Sequence, residues 1–245
     1  MFNLFGKKDA DVFDYGLLHA DMHSHLLPAV DDGSPDLATS AEMIKGLTAL
    51  GFKKLITTPH IMWDMYQNTR PDLEKRFDAL KEYLINEGIT VDIRLAAEYF
   101  LDDNLKKLLA RKEPLLTIHE NRVLVEFSLA SEPMDLKEIL FEMLLQGYQP
   151  VIAHPERYIY YERHKSFFEE LKIAGYYFQL NLMALAGTYG KSARELAHYF
   201  IKHNYYELAG TDLHNKQQLT HLRHHSIAAG LKPLLDSGKL LNREL

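Results

Sequence analysis

The sequence predicts an α/β fold in which parallel strands form a closed or nearly closed barrel. Two observations support this prediction. Short apolar runs alternate with amphipathic stretches along the whole chain, and six of the seven runs end in a histidine or a carboxylate. In parallel barrels the functional residues lie at the carboxyl ends of the strands, so these side chains are expected to meet in one site. A doubly wound open sheet is the structural alternative.

Each element has a readable signal in the sequence. The seven apolar runs predict strands at residues 16–22, 53–58, 91–97, 122–127, 149–153, 176–181 and 205–210. The one run that does not end in a histidine or carboxylate, residues 176–180, is followed by Asn181. This polar group can face the same site. Between the first runs, apolar residues at helical spacing predict helices that begin at Ser34-Pro35, Pro71 and Asp135 and end before Gly51, Gly88 and Gly147. We assign their apolar stripes to the core.

Length and composition predict one large domain. The 245 residues suffice for a single α/β barrel, and no linker-like stretch divides them. We predict an N-terminal extension at residues 1–17, followed by one domain at residues 18–245. Residues 1–11 lack the apolar core of a secretory signal, and no apolar run approaches the roughly 18 residues of a membrane span. These features predict a cytoplasmic protein without direct membrane insertion.

Charge and cysteine content narrow the chemistry. A net charge of -6 disfavours a nucleic-acid partner, because proteins that bind the phosphate backbone are normally basic. The chain has no cysteine, which excludes disulfides, thiolate nucleophiles and zinc–thiolate clusters. Any metal must therefore be held by histidines and carboxylates. The 13 histidines are compatible with several ligands.

Two histidines near the N-terminus begin the candidate metal site. His23 and His25 lie one residue apart at the end of the first apolar run, so both side chains project to the same side of the strand. Ser24 points the other way, which makes it a poor candidate for a nucleophile. The candidate ligands as a set are histidines and carboxylates at strand ends: His23, His25, Asp32, His60, Glu98, Glu126, His154, Asp212 and His214.

Nine such ligands exceed what one ion binds, so the set predicts two or three divalent ions bridged by carboxylates. Imidazole and carboxylate ligands suit manganese, iron or zinc. The other histidines lack the strand-end pattern and are assigned structural or solvent-exposed positions: His19, His119, His164, His198, His203, His221, His224 and His225.

The motifs resemble those of the polymerase-and-histidinol-phosphatase (PHP) superfamily of metal-dependent phosphoesterases, and most closely the bacterial tyrosine-protein phosphatases encoded with capsule or exopolysaccharide systems. The resemblance covers about residues 18–214. It rests on Asp21-Met22-His23-Ser24-His25, Val30-Asp31-Asp32-Gly33, Thr58-Pro59-His60, Ala97-Glu98-Tyr99, Val125-Glu126-Phe127-Ser128, His154-Pro155-Glu156-Arg157-Tyr158 and Asp212-Leu213-His214-Asn215. The Asp-Asp-Gly and His-Pro-Glu-Arg-Tyr strings are the specific ones.

The resemblance implies a distorted (β/α)7 barrel with a three-metal centre, manganese being the favoured metal. By position, His23, His25, Glu98 and Asp212 would hold the first ion, with Glu98 bridging. Glu126 and His154 would complete the second. Asp32, His60 and His214 would hold the third, and Asp32 is preferred over its neighbour Asp31 because it adjoins the glycine. A metal-bound hydroxide would attack phosphorus in line.

The resemblance also implies that Arg157 binds the substrate phosphate, a role that suits the guanidinium fork. The alternative for Arg157 is a surface ion pair with Glu156 or Glu162. A second family arginine, shortly after the last motif, is absent here. Lys216, His221 or Arg223 are the candidates to replace it.

The function implied is hydrolysis of phosphotyrosine on a protein partner, a membrane-associated bacterial tyrosine kinase that controls polysaccharide export. Three alternatives remain at this stage. One is a small-molecule phosphomonoesterase such as histidinol phosphatase. The second is phosphodiester cleavage on nucleic acid, which the acidic net charge disfavours. The third is a non-enzymatic metal-binding module, against which the complete set of nine ligand-type residues argues.

Overall fold

The computed structural model describes residues 13–245. The expectations for residues 1–11, and most of the predicted extension at residues 1–17, lie outside the described part. The last residues of this extension, 13–17, are described. Residues 15–17 form a 3-10 helix, and the Tyr15 side chain is fully buried in the main core, where its hydroxyl donates to the carbonyl of Leu222 at 2.6 Å. The domain boundary at residue 18 stays a prediction.

The fold is α/β with parallel sheets. The strands of the described residues are β1 to β9 in chain order: Ala20–Asp21, Lys54–Thr57, His60–Ile61, Asp92–Leu95, Glu98–Phe100, Arg122–Glu126, Gln149–Ala153, Tyr177–Asn181 and Leu208–Gly210. One sheet has the order β1-β2-β4 and the other the order β3-β5-β6-β7-β8-β9. Every pairing between these strands is parallel. Within each sheet the strands therefore present their carboxyl ends to the same side.

Each predicted strand range contains a strand in the structure, but several of the predicted boundaries differ from the observed ones. Residues 16–22 form a strand only at Ala20–Asp21, and residues 205–210 only at Leu208–Gly210. The second and third predicted strands are each followed by a further short strand, β3 and β5, that the sequence did not predict. Pro59 separates β2 from β3, because a proline has no N–H to donate to the strand ladder.

A continuous register and one β-bridge relate the two sheets to each other. Thr57 pairs with Leu95, and His60 pairs with Glu98, so both pairings join residues 38 positions apart and the register continues across the break. On the other side, Ser24 and Leu213 form a parallel bridge, in which the His25 N–H donates to the Leu213 carbonyl at 2.9 Å. The end of the β1 segment therefore lies beside the segment that follows β9.

The helices cover the sheets. In the described residues they are α1 to α8: Leu37–Ala49, Arg70–Asn86, Asp103–Ala110, Leu136–Leu145, Ser166–Ile173, Gly190–Lys202, Gln218–His221 and His225–Ser237. The predicted helices at Pro71 and Asp135 are confirmed. The first helix begins later than predicted, because the Asp36 carboxylate rather than Ser34 caps it by accepting from the Thr39 N–H at 2.7 Å. No helix of the described part is long and apolar enough to span a bilayer.

Candidate metal centre

His23 and His25 lie side by side, as the strand-end pattern predicts. Both are fully buried. The Nε2 atom of His23 lies 3.1 Å from Glu98 Oε2 and 3.2 Å from Asp212 Oδ1. The Nε2 atom of His25 lies 3.4 Å from each of the same two oxygens. Four side chains from three separate strand ends thus meet around one small volume.

The structure gathers ligand atoms into three overlapping groups. Within a group, all ligand atoms lie within 4.8 Å of one another. The groups are His23, His25, Glu98 and Asp212; His60, Glu98 and Glu126; and His25, Asp32, His60 and His214. Glu98 belongs to two groups, as expected of a bridging carboxylate. Eight of the nine residues predicted from sequence fall in these groups.

The ninth residue, His154, lies beside them. Its Nε2 atom is 3.4 Å from Glu98 Oε1 and 3.9 Å from Glu126 Oε1. His154 adopts left-handed backbone angles, with φ 34° and ψ 57°, directly after β7, and Asp212 is also left-handed with φ 53°. Non-glycine residues rarely adopt this conformation, which costs of order 1–3 kcal/mol and occurs preferentially at functional sites. The two turns aim both side chains into the site.

Three of the histidines are oriented by a hydrogen bond from the ring nitrogen that faces away from the cluster. Nδ1 of His23 donates to Gln179 Oε1 at 3.0 Å, and Nδ1 of His25 donates to Asp31 Oδ2 at 2.9 Å. Nδ1 of His214 donates to the carbonyl of Asp212 at 2.9 Å. Each bond directs Nε2 toward the cluster and is the usual support of a metal-binding imidazole.

The two neighbouring aspartates have different positions. Asp32 is half exposed, and its Oδ1 lies 3.6 Å from His60 Nε2 and 3.5 Å from His214 Nε2. The Asp31 side chain is buried and accepts from His25 and from the N–H groups of Gly33 and His60. Asp32 therefore belongs to a group that could hold an ion, and Asp31 supports His25.

Gly33 makes this loop possible. A Cβ at this position would lie 2.4 Å from the His25 carbonyl oxygen and 2.5 Å from the His25 Cβ. Because the first contact is with backbone, it cannot be relieved by moving a flexible side chain. We expect Gly33→Ala to reduce the free energy of unfolding by about 1–3 kcal/mol, the usual cost of overpacking. Urea denaturation measures the change.

Gly46→Ala is the matched control, since its new Cβ would contact only the end of the half-buried Leu219 side chain. A Gly33→Ala protein as stable as the parent would show that the loop can move away from His25.

The charges of the cluster suit a cation. Burial alone would lower the pKa of His23, but the carboxylates of Glu98 and Asp212 raise it to about 9. The pKa of Glu98 and that of Asp212 are held well below their usual values by the surrounding imidazoles, despite burial. Burial and then the charge of Glu98 raise the pKa of Glu126 well above its usual value. A divalent ion would relieve the repulsion between Glu98 and Glu126.

His154 is poised to act as a neutral ligand. Burial, together with the nearby Arg157 charge, lowers its pKa to about 4, so the imidazole is unprotonated at neutral pH. Metal ligation requires this form. The pKa of Asp32 is lowered to about 2, chiefly by the nearby imidazole of His214, so Asp32 is a carboxylate.

Arg157 reaches the same cluster from the turn after β7. Its Nη1 donates to Asp212 Oδ2 at 3.1 Å, so the predicted alternative, a surface ion pair with Glu156 or Glu162, is wrong. The guanidinium lies over the Tyr189 ring at 4.6 Å from its centroid. Asn181 Nδ2 donates to both Asp212 Oδ2 and the Tyr189 hydroxyl at 2.9 Å. Asp212 thus presents Oδ1 to the histidines and Oδ2 to the arginine.

Sequence reasoning missed two of these supporting residues. Gln179 lies two positions before Asn181 on β8, so the alternation of a strand places both on one face. That spacing was an available signal. Nothing in the sequence marks Tyr189, because its contact with Arg157 joins two distant loops.

The three candidates for a second phosphate-binding residue lie elsewhere. Lys216 forms an ion pair with Glu42 of α1. His221 and Arg223 are exposed and line a surface groove with residues 186–188. Within residues 13–245, no hydrogen bond or ion pair connects these side chains to the ligand groups.

The residues present fit metal ions. His60 Nδ1 and Glu98 Oε1 are buried in the cluster without a hydrogen-bond partner, an unfavourable state that a bound cation would remove. The donor set contains only imidazole and carboxylate, which suits divalent manganese, iron or zinc. Orienting hydrogen bonds to three histidines complete the pattern of a metal centre.

Comparison with known proteins gives consistent results. A family model described as capsular polysaccharide synthesis, CpsB/CapC, matches residues 19–227. The chain is 31% identical to the tyrosine-protein phosphatase YwqE of Bacillus subtilis over 80% of this chain and 77% of that protein. It is 29% identical to the tyrosine-protein phosphatase CpsB of Streptococcus agalactiae over 80% and 82%.

A solved structure is also similar, with a TM-score of 0.78 and 28% identity over 92% of this chain and 90% of the other. It comes from work on YwqE of Bacillus subtilis and CpsB of Streptococcus pneumoniae, described there as unique metal-dependent tyrosine phosphatases.

Proposed function

This chain belongs to the CpsB/CapC family of capsular polysaccharide synthesis proteins, and we propose that it is a metal-dependent protein-tyrosine phosphatase. One observation of the site supports the proposal above the others. Three overlapping groups of imidazoles and carboxylates form one cluster, two of the groups share Glu98, and Asp212 joins the cluster to the only arginine that reaches it in the described structure. Metal ligands beside a guanidinium are the parts that phosphoryl transfer requires.

We propose that all nine residues are metal ligands, distributed over two or three ions. Glu98 bridges the first and second positions, and His25 and His60 also belong to two groups. Manganese is the proposed metal, with iron or zinc as the alternatives. Divalent ions in such a site lower the pKa of water and neutralise phosphate oxygens.

The remaining chemistry belongs to side chains of the protein. Arg157 binds two phosphate oxygens through its fork and orients the phosphoryl group. Asp212 holds Arg157 in place while its other oxygen faces His23 and His25. Tyr189 stacks on the guanidinium and limits its rotation. These contacts fix the arginine before substrate arrives, so little reorganisation is needed in the transition state.

We also infer that the two sheets are parts of one distorted seven-stranded barrel. The register is the same in the β2–β4 pair and in the β3–β5 pair, which supports this inference. On this reading β2 and β3 are two parts of one bent strand, and β4 and β5 are two parts of another. The bridge between Ser24 and Leu213 supports closure on the other side. Metal ligands at the carboxyl ends then surround the barrel mouth.

The proposed partner is a tyrosine-phosphorylated protein, specifically a membrane-associated bacterial tyrosine kinase that controls capsule or exopolysaccharide synthesis. The CpsB/CapC family description supports the link to capsular polysaccharide. A cytoplasmic enzyme would meet such a kinase at its cytoplasmic part. We propose no nucleic-acid partner and no membrane insertion.

The test is phosphate release by metal-stripped protein before and after addition of manganese. We expect release from a phosphotyrosyl peptide only in the presence of the metal, and little release from histidinol phosphate. Release from histidinol phosphate alone would assign a small-molecule phosphatase. Metal binding without release from either substrate would favour a binding module.

Metal removal should also lower thermal stability. A ligand that binds only the folded state stabilises it by about 2.7 kcal/mol at a hundred times its dissociation constant. For a chain of this size, that predicts a rise in Tm of roughly 5–10 °C when manganese is restored. Differential scanning calorimetry with magnesium as a control ion measures it. An unchanged Tm at saturating manganese would contradict metal binding at this buried cluster.

A further inference from the structure

Exposed apolar side chains follow several of the strands that carry the candidate metal ligands. In the described residues, half of the ten exposed large apolar side chains lie in the segments that follow β3, β6 and β7. They are Trp63, Met65, Leu129, Met134 and Ile159, which we call the apolar rim. Because these strands deliver His60, Glu126 and His154, the apolar rim lies on the same side of the fold as the metal ligands.

The part of the rim after β3 is held in a fixed conformation. Met62 and Tyr66 form an antiparallel bridge, so residues 62–66 make a tight hairpin. The Trp63 N–H donates to Asp102 Oδ2 at 3.0 Å. Asn68 Nδ2 donates to the carbonyl of His60 at 2.7 Å and thereby ties the end of the hairpin to β3.

The hairpin contacts a candidate metal ligand and also exposes apolar side chains to the solvent. The Tyr66 ring is stacked on the His60 imidazole, with 5.5 Å between centroids and 9° between planes. On the hairpin, Trp63 is 39% exposed and Met65 is 67% exposed. A fixed loop that exposes a tryptophan and a methionine to water beside the candidate metal centre has the character of a binding hot spot.

We propose that the apolar rim, with Trp63 and Met65 as its rigid part, binds apolar side chains that flank the phosphotyrosine of the protein substrate. This inference rests on the proposed function. A small phosphomonoester bound to the ligand groups would not extend to the rim, so exposed apolar groups there would serve it no purpose. A phosphotyrosine within a polypeptide carries its neighbouring residues onto the rim.

The chemistry favours an apolar over a charged segment. The rim offers thioether, indole and aliphatic surface, whose removal from water favours binding of apolar side chains. Its members carry no charge, and the exposed charged residues nearest to them in the same segments, Asp64 and Glu132, are acidic and would disfavour an acidic neighbour. The partner is therefore a phosphotyrosyl segment with large apolar residues beside the phosphotyrosine.

The experiment compares two peptides that differ only in flanking residues, one with leucine and the other with glycine on both sides of phosphotyrosine. We expect the parent protein to prefer the leucine peptide by about tenfold in kcat/KM, mainly through a lower KM. In Trp63→Ala/Met65→Ala the preference should fall to about twofold or less. Because the readout is a ratio between peptides, a general loss of activity does not alter it.

Ile85→Ala/Ile173→Ala is the matched control. It also removes two exposed apolar side chains, from the ends of α2 and α5, and should retain the tenfold preference. A preference retained in Trp63→Ala/Met65→Ala, or no preference in an active parent protein, would overturn the rim proposal alone. Absence of phosphate release from both peptides by the parent protein with manganese would instead overturn the proposed function.

Discussion

Glu98→Gln is expected to reduce phosphate release by about 10³-fold or more. Glu98 is the only residue whose carboxylate oxygens lie within 3.4 Å of His23, His25, His60 and His154 in the described structure. Glutamine keeps the shape but loses the charge and one oxygen ligand, so the two ions that we propose Glu98 bridges would bind weakly. Metals contribute several kcal/mol of transition-state stabilisation, and each 1.4 kcal/mol is tenfold in rate.

The measurement combines kcat on a phosphotyrosyl peptide with the metal content of the purified protein. We expect both to fall together, while the circular dichroism spectrum stays that of the parent protein. Glu87→Gln, an exposed substitution at the end of α2, is the matched control and should retain both. Full metal content and near-parental turnover in Glu98→Gln would remove Glu98 from the metal centre.

Much of this architecture could be predicted because its signals are local. An apolar run followed by a helix signal is a property of consecutive residues, and parallel strands bring their carboxyl ends together whatever the details of pairing. His60 and Glu126 are 66 residues apart, yet their strand-end positions sufficed to place them at one edge. The alternation of a strand likewise sufficed to put His23 and His25 on the same side.

Other features depend on contacts between distant segments and could not be predicted. The left-handed conformation of His154 and Asp212 is uncommon even though both residue types adopt it more often than most, and no neighbouring residue in the sequence marks it. The continuation of β2 as β3 depends on pairing with Glu98, 38 residues later. Asp36 competes with Ser34 as a helix cap, and only the folded geometry selects between them.

The different roles of Asp31 and Asp32 show the same limit. Adjacent aspartates are equivalent by composition, and the structure separates them because Gly33 lets the loop turn closely against His25. One aspartate then supports the imidazole and the other faces His60 and His214. The choice of Asp32 as the ligand rests on this geometry and stays a proposal.

Arg157→Ala is expected to lower kcat/KM on phosphotyrosyl peptides by about 10²–10³-fold, the usual effect of removing a preorganised donor to a developing charge. The guanidinium is fixed by Asp212 and Tyr189, so its loss removes a contact that needs no rearrangement. Asp212 keeps the oxygen that faces His23, so we expect the metal content to be retained. This separates the arginine from the ligands, whose loss lowers metal content as well.

Arg157→Lys tests whether the fork or only the charge matters. Lysine supplies a point charge without two parallel donors or a planar face for Tyr189, so we expect it to recover only a small part of the loss. Arg163→Ala, an exposed arginine six residues later, is the matched control and should match the parent protein. Parental kinetics in Arg157→Ala would exclude Arg157 from phosphate binding and leave the ligand groups alone to orient the phosphoryl group. A lysine variant as active as the parent protein would reduce the role of Arg157 to its charge.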